Sequence, residues 1–523
     1  MLFLEGKTLS KVVNRNGRIT LLEELQQKGL TPLIRTTRLN CFDHLLLGVE
    51  RIRELETLIA TWTEVETQEP YVQGEVFCLS DHVFFLIFDD KAVDPVLRAG
   101  IVYETRTPEP FRKLDSFCRD VRESLLAQRQ VEEGETGTVE IFPEWEHGKP
   151  TMPEGFKRFV GKQDADSLYT SLRKDTMSKR ILAASKLEDE SARLFLRGAR
   201  KAHDEGYSAK LLSGDTAESH EFSIEKLEDV GLVEREVQIS CRKTGHALFR
   251  LPNAHALAVV TISDATCSEC GLPVADEKVE EVIAPTRLAS SLLEDGSWLL
   301  SRLHSILREM GVPESEIAVG PSEGSGHGQM MVNLCGESFL IVTRDGDLTP
   351  AFARWAIDLE LDTEASHLVV IATGRLHNEA GVLLHNHARR RVTGGEDFEL
   401  VVADDIAAAG RELRHALERV SQRVIAEQVC ELDNSIGLSV SRLIITKFNL
   451  LRTEQELDHE TLSPESAQSL SLLKPPLTLA AHASTNAGEI FDVSVIPEES
   501  SENAQAEQAE NIETELDSGP SWN

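Results

Sequence analysis

The chain lacks any long apolar run. Its longest, such as Val83 to Phe88, has the length of a strand and falls far below the roughly 18 residues of a membrane-spanning helix. Its opening, MLFLEGKTLSK, sets only four apolar residues before Glu5 and Lys7, too few for the core of an export signal. The expectation is therefore no membrane partner and a cytoplasmic location. Basic charge is also scarce: 54 Lys and Arg stand against 88 Asp and Glu, a formal net charge of −34. Nonspecific coating of nucleic acid is excluded, because phosphate binding needs a positive face, but a local basic patch remains open. Cysteine is sparse, with Cys41, Cys78, Cys118, Cys241, Cys267, Cys270, Cys335 and Cys430 in 523 residues. Reduced thiols are expected, and metal binding is the exception to look for.

What the chain does contain is enough apolar residues, 41%, to bury cores, and a length that suits about three domains of roughly 150 residues. The pattern predicts an α+β multidomain protein. Residues 1–130 read as an N-terminal α+β domain. Helical spacing links Leu45, Val49, Ile52, Leu55, Leu58 and Ile59, two strands flank Ser80-Asp81, and a helix follows through Phe111, Leu114, Phe117, Val121 and Leu125. Residues 131–163 mix Glu with Gly and Pro and read as an acidic linker. From Pro475 to residue 523 there are ten acids and no Lys or Arg, which predicts a disordered acidic tail, either a solubiliser or a docking segment that mimics a polyanion.

Residues 164–240 read as helices near Ser167–Ala184 and Glu188–Glu205, a short helix ended by Gly231, and a strand Leu232–Ser240. This order resembles a winged-helix module. Residues 171–201 hold nine cations against four acids. Arg173, Lys174, Lys179, Arg180, Arg193 and Arg197 are the candidates for meeting phosphates; the alternative is a solvated face or an interdomain contact. In 241–285, CRKTGH is followed by CSECG. The stretch resembles a zinc ribbon, in which two Cys-x-x-Cys-Gly knuckles hold one tetrahedral zinc. The first knuckle departs from that pattern, with Thr244 where a cysteine belongs, so the candidate ligands are Cys241, His246, Cys267 and Cys270. A structural zinc, a metal-free relic and a redox dithiol are the three readings.

Residues 290–450 carry the most information. An amphipathic helix, a Gly-rich loop (Gly320, Gly324, Gly326, Gly328), strands QMMVNLCG and SFLIVTRDG, a helix, strand HLVVIATG, a helix through HNEAGVLLHNHARRR and strand FELVVAD follow one another. A long helix Ile406–Leu432 and a strand in LSVSRLIITKFNL are predicted beyond them. The order across 298–405 resembles the restriction-endonuclease-like PD-(D/E)xK fold. That resemblance implies acids that hold Mg²⁺ and a lysine beside the scissile phosphate. Asn333, Val342 and Arg344 occupy the motif positions here. Valine cannot ligate a metal and arginine stays protonated, so the resemblance implies an inactive relative. Glu337, Asp345 and Asp347 are candidate displaced acids, and His385, His387 and Arg389–Arg391 form a second basic cluster. The expected function is a non-catalytic accessory or regulatory protein for nucleic-acid transactions, with DNA and a protein as partners. The alternatives are a divergent metal-dependent nuclease, such as one in phage defence, and a protein–protein adaptor.

Overall fold

The computed structural model describes residues 1–45, 51–90, 96–133, 142–147, 153–161, 177–204, 223–262, 265–294, 296–320 and 327–461. Strand β1 (Leu2–Leu9) opens the chain. Helices α1 (Arg15–Gln27), α2 (Leu33–Leu45) and α3 (Ile52–Thr67) follow, then β2 (Gly74–Cys78), β3 (His82–Asp89), β4 (Val96–Glu104) and α4 (Pro110–Glu133). The Asn14 side chain starts α1 by accepting from the Gly17 amide at 2.6 Å. The strands form an antiparallel sheet in the order β2-β3-β4-β1-β5, where β5 is Glu146–His147. The predicted linker therefore contributes an edge strand, and its α5 (Glu154–Gly161) buries Phe156 and Phe159 in the core of a later sheet. A hydrophobic run with a few apolar anchors can dock in this way even where Pro and Gly break regular periodicity.

Helices α6 (Met177–Lys186), α7 (Glu190–Asp204) and α8 (Ile224–Asp229) come next. The predicted first helix, from Ser167, lies largely outside the described residues. Gly231, at φ +76°, turns the chain after α8 into β6 (Val233–Ser240), as expected. Strand β7 (Ala247–Leu251) and β8 (Lys278–Pro285) flank β6 in a three-stranded antiparallel sheet. Beyond β7 the chain continues as helix α9 (Ala254–Ile262). Strand β8 also ties the cysteine-bearing segment into the sheet of the preceding module.

Helices α10 (Arg287–Glu294) and α11 (Ser297–Glu309) lead into β9 (Ile317–Val319), β10 (His327–Leu334), β11 (Glu337–Arg344), α12 (Pro350–Thr363), β12 (His367–Ala372), α13 (Asn378–Thr393) and β13 (Leu400–Ala403). The sheet order is β13-β12-β11-β10-β9; β9, β10 and β11 run antiparallel, and β11, β12 and β13 run parallel through the helical crossovers. Cys335 and Gly336, both at positive φ (53° and 84°), close the β10–β11 hairpin, as its right-handed twist requires. Alternation decides the faces. Met331, Leu340, Val342, Leu368 and Val370 meet α12 and α13, while Met330, Val332, Phe339, Ile341 and Val369 meet α11 and the long helix α14 (Ile406–Val429).

The last described helix is α15 (Val440–Thr461), in place of the strand expected in LSVSRLIITKFNL. Its β-branched content suggested a strand. Val440, Ile444 and Phe448 instead repeat every four residues and bury one helical stripe against Val83, Phe85 and Val102 of the N-terminal sheet. Arg38 donates to the Ser435 carbonyl, and Ser421 Oγ to that of Leu2. Residues Met1–Gln455 form one compact unit, an α+β structure with three sheets among the described residues. The tail predicted from Pro475 lies outside the described residues. Among the described residues no helix is long and apolar enough to cross a membrane.

Candidate metal centre

The end of β6 and the approach to β8 bring two backbone knuckles together. In the first, the Cys241 amide donates to the His246 carbonyl (2.8 Å) and the Gly245 amide to the Cys241 carbonyl (2.7 Å). In the second, Cys267 donates to Leu272 (2.7 Å) and Gly271 to Cys267 (2.9 Å). The turning glycines match as well, with φ +74° at Gly245 and +73° at Gly271. The degraded sequence CRKTG thus keeps the backbone of the intact CSECG, because the glycine, not the second cysteine, makes the turn.

The side chains form a set that differs from the expected one. Sγ of Cys241, Cys267 and Cys270 and a carboxylate oxygen of Glu277 all lie within 4.8 Å of one another. His246 is exposed and is not part of this group. The knuckle turn gathers the residue at its first and fourth positions, and His246 lies past its glycine. Glu277 was missed because it stands outside either motif; its only sequence signal was an acid just before β8. Glu277 is buried (3% exposed). Its Oε2 accepts the Arg242 amide at 2.5 Å, and its Oε1 accepts from Cys270 Sγ at 2.8 Å. The carboxylate pushes the Cys270 thiol above its ordinary range, while the Thr244 hydroxyl and the knuckle amides lower that of Cys241. All three cysteines are free thiols. Such a group can bind a metal.

Asn333, Val342 and Arg344, read from the sequence as degenerate motif positions, do not converge. Asn333 pairs with Ser338 near the closed end of the β10–β11 hairpin, whereas Val342 pairs with Gln329 and Arg344 with His327 toward its open end. Four positions of β11 separate Ser338 from Val342, roughly 13 Å at about 3.3 Å per residue. Asn333 donates to Glu316 Oε2 (2.6 Å) and lines a cavity of about 120 Å³ with Glu5, Tyr103 and Cys335. Val342 is fully buried under α12 and α13. Arg344 donates to Thr349 Oγ1 (3.3 Å), with its guanidinium 5.4 Å from the Phe352 ring centroid. Two of the displaced acids are apart too, with Glu337 opening β11 beside His367 (3.6 Å) and Asp345 following its end. Asp347 accepts the Arg375 amide at 2.8 Å.

Asp345 is a structural hub. Its buried carboxylate accepts from Trp298 Nε1 (2.8 Å), Thr373 Oγ1 (2.8 Å) and Arg197 (2.5 Å). Arg193 is buried, donates to the Leu187 and Glu188 carbonyls, and lays its guanidinium 4.9 Å from the Trp298 ring centroid. Arg180 donates to the hydroxyls of Ser297 and Ser301. Half of the candidate phosphate ligands therefore dock α6 and α7 onto the α/β core. Lys179 is exposed, and Arg173 and Lys174 lie outside the described residues. On α13, His385 is exposed while His387 is buried against Glu360 (2.8 Å), so the pair diverges as a helix requires. No family model, curated protein or solved structure matches the chain.

Proposed function

We propose that the chain is a non-catalytic accessory protein for nucleic-acid transactions, whose nuclease-like core serves binding and assembly. The observation that carries this reading is the fate of the motif positions: Val342 is buried in the core, and Asn333 faces Glu316 at the other end of the hairpin. Support for the nuclease-like resemblance comes from the mixed sheet, in which the predicted strands follow one another with α12 and α13 as crossovers. Two-metal hydrolysis needs converging carboxylates. Asp345 is engaged by three donors, and Glu337 lies at the far end of β11.

The purified chain, incubated with DNA or RNA and Mg²⁺ or Mn²⁺, is expected to cleave neither; metal-dependent cleavage overturns the reading. Fluorescence anisotropy with labelled oligonucleotides is expected to show binding that weakens with salt and is lost when Arg173, Lys174 and Lys179 are changed to Glu. A second reading, a protein–protein adaptor, is favoured by the internal use of Arg180, Arg193 and Arg197. Absence of nucleic-acid binding at low salt would hand the function to that reading.

A further inference from the structure

We propose that Cys241, Cys267, Cys270 and Glu277 hold one zinc ion, with the Glu277 carboxylate as the fourth ligand in place of the cysteine that the first knuckle lacks. This goes beyond the accessory role and does not depend on it. Three sulfur donors and one oxygen within 4.8 Å of one another form a compact four-donor set. Thiolate-rich sets favour zinc over the hard cations Mg²⁺ and Ca²⁺. The matched knuckle backbones place Thr244 at the position equivalent to Cys270, and the Thr244 hydroxyl accepts the His246 amide at 3.3 Å. That leaves one corner of the tetrahedron for an incoming ligand, and Glu277 occupies it.

The carboxylate is held for the task at both oxygens. Oε2 is anchored by the Arg242 amide of the first knuckle, and Oε1 is presented to the sulfurs. One side chain thus replaces the lost thiolate and ties the first knuckle to β8, an orienting contact of the kind metal sites rely on. A divalent ion would balance the charge of a carboxylate buried beside three thiols. On binding, the three thiols release their protons to solvent, that of Cys270 first leaving its hydrogen bond to Glu277. Four protein ligands close the coordination sphere, so the ion is structural. The segment needs one. Val259 and Ile262 of α9 are 70% and 82% exposed, and few side chains between β7 and β8 are buried.

The test uses the full chain. Elemental mass spectrometry is expected to find one zinc per chain, and cobalt substitution to give the visible bands of a tetrahedral site with thiolate charge transfer. Zinc affinity, measured by competition with a chromophoric chelator, is expected to fall at least about tenfold in Glu277→Ala. Glu277→Cys is expected to keep the metal and to strengthen the thiolate-to-cobalt band, which separates loss of a ligand from loss of folding. His246→Ala is expected to leave the affinity unchanged. Failure of the reduced chain to take up zinc or cobalt overturns the proposal. So does full affinity in Glu277→Ala, or loss of affinity in His246→Ala. None of these readouts involves nucleic acid, so they stand apart from the tests of the accessory role.

Discussion

Single side chains decide more here than their types foretell. Asp345 looks like a turn acid in the sequence, yet it accepts three hydrogen bonds from three separate segments. Asp345→Ala would leave the buried Trp298 indole N–H without its acceptor, and a loss of about 1–3 kcal/mol is expected in urea unfolding. Val342 gives the converse case. Placing an acid there by Val342→Glu is expected to cost several kcal/mol, on the order of the penalty for an unpaired buried charge, and to produce no nuclease activity. Glu5 faces the small cavity shared with Glu316, and burial, reinforced by the Glu316 charge, raises its carboxyl from 4.5 to about 7. The folded state thus holds this proton more tightly than the unfolded chain does. Its contribution to stability is complete below about 4.5 and is lost as pH rises through about 7. Melting temperatures of the wild type and Glu5→Gln, compared at pH 5 and pH 8, should show a smaller fall for the variant.

At the scale of elements, apolar spacing locates the helices, and short apolar runs locate strands that are buried on both faces. Helices α4 and α14, the β2–β3 hairpin and the strands of the mixed sheet follow their apolar periods. The failure at α15 has a definite cause. Val440, Ile444, Ile445 and Phe448 suit either a strand or a helix, and only the groove beside the N-terminal sheet selects the helical stripe. Phe448→Ala is expected to destabilise by about 3–5 kcal/mol, because the ring is almost fully buried there. A strand in that place would instead give sensitivity at every second residue, with 442 and 446 included. Alanine scanning of 440–450 is therefore expected to show losses at 440, 444 and 448 with smaller effects between. Helix α7 makes a similar point through charge. Its cations could be a free face or a contact within the molecule, and Arg193 is buried against Trp298 while the half-exposed Arg197 meets Asp345.

Across the whole molecule, the sequence boundaries are softer than composition suggested. One apolar core runs from the N-terminal sheet through α11 and α14 to the mixed sheet, and α15 returns to cover the far face of the first. The net charge of −34 describes this surface poorly, since ten acids fall in 475–523 and a further excess in 131–156, while 171–201 is net positive. Because Met1–Gln455 is one unit, thermal unfolding followed by tryptophan fluorescence and by far-ultraviolet circular dichroism is expected to give coincident transitions. Two separated transitions would restore the independent domains drawn from composition.

The sequence by itself determined the α+β class, most of the helices and strands, and the two glycine-turned knuckles. These depend on local properties: apolar period, turn residues and the identity of a side chain. Only the tertiary structure decided that Glu277 completes the cysteine group, that Asn333 and Val342 lie apart, and that Arg193 and Arg197 of α7 meet Trp298 and Asp345. Each of these is a meeting of residues from different elements. Strand register and helix docking set such meetings, and neither leaves a mark in local spacing.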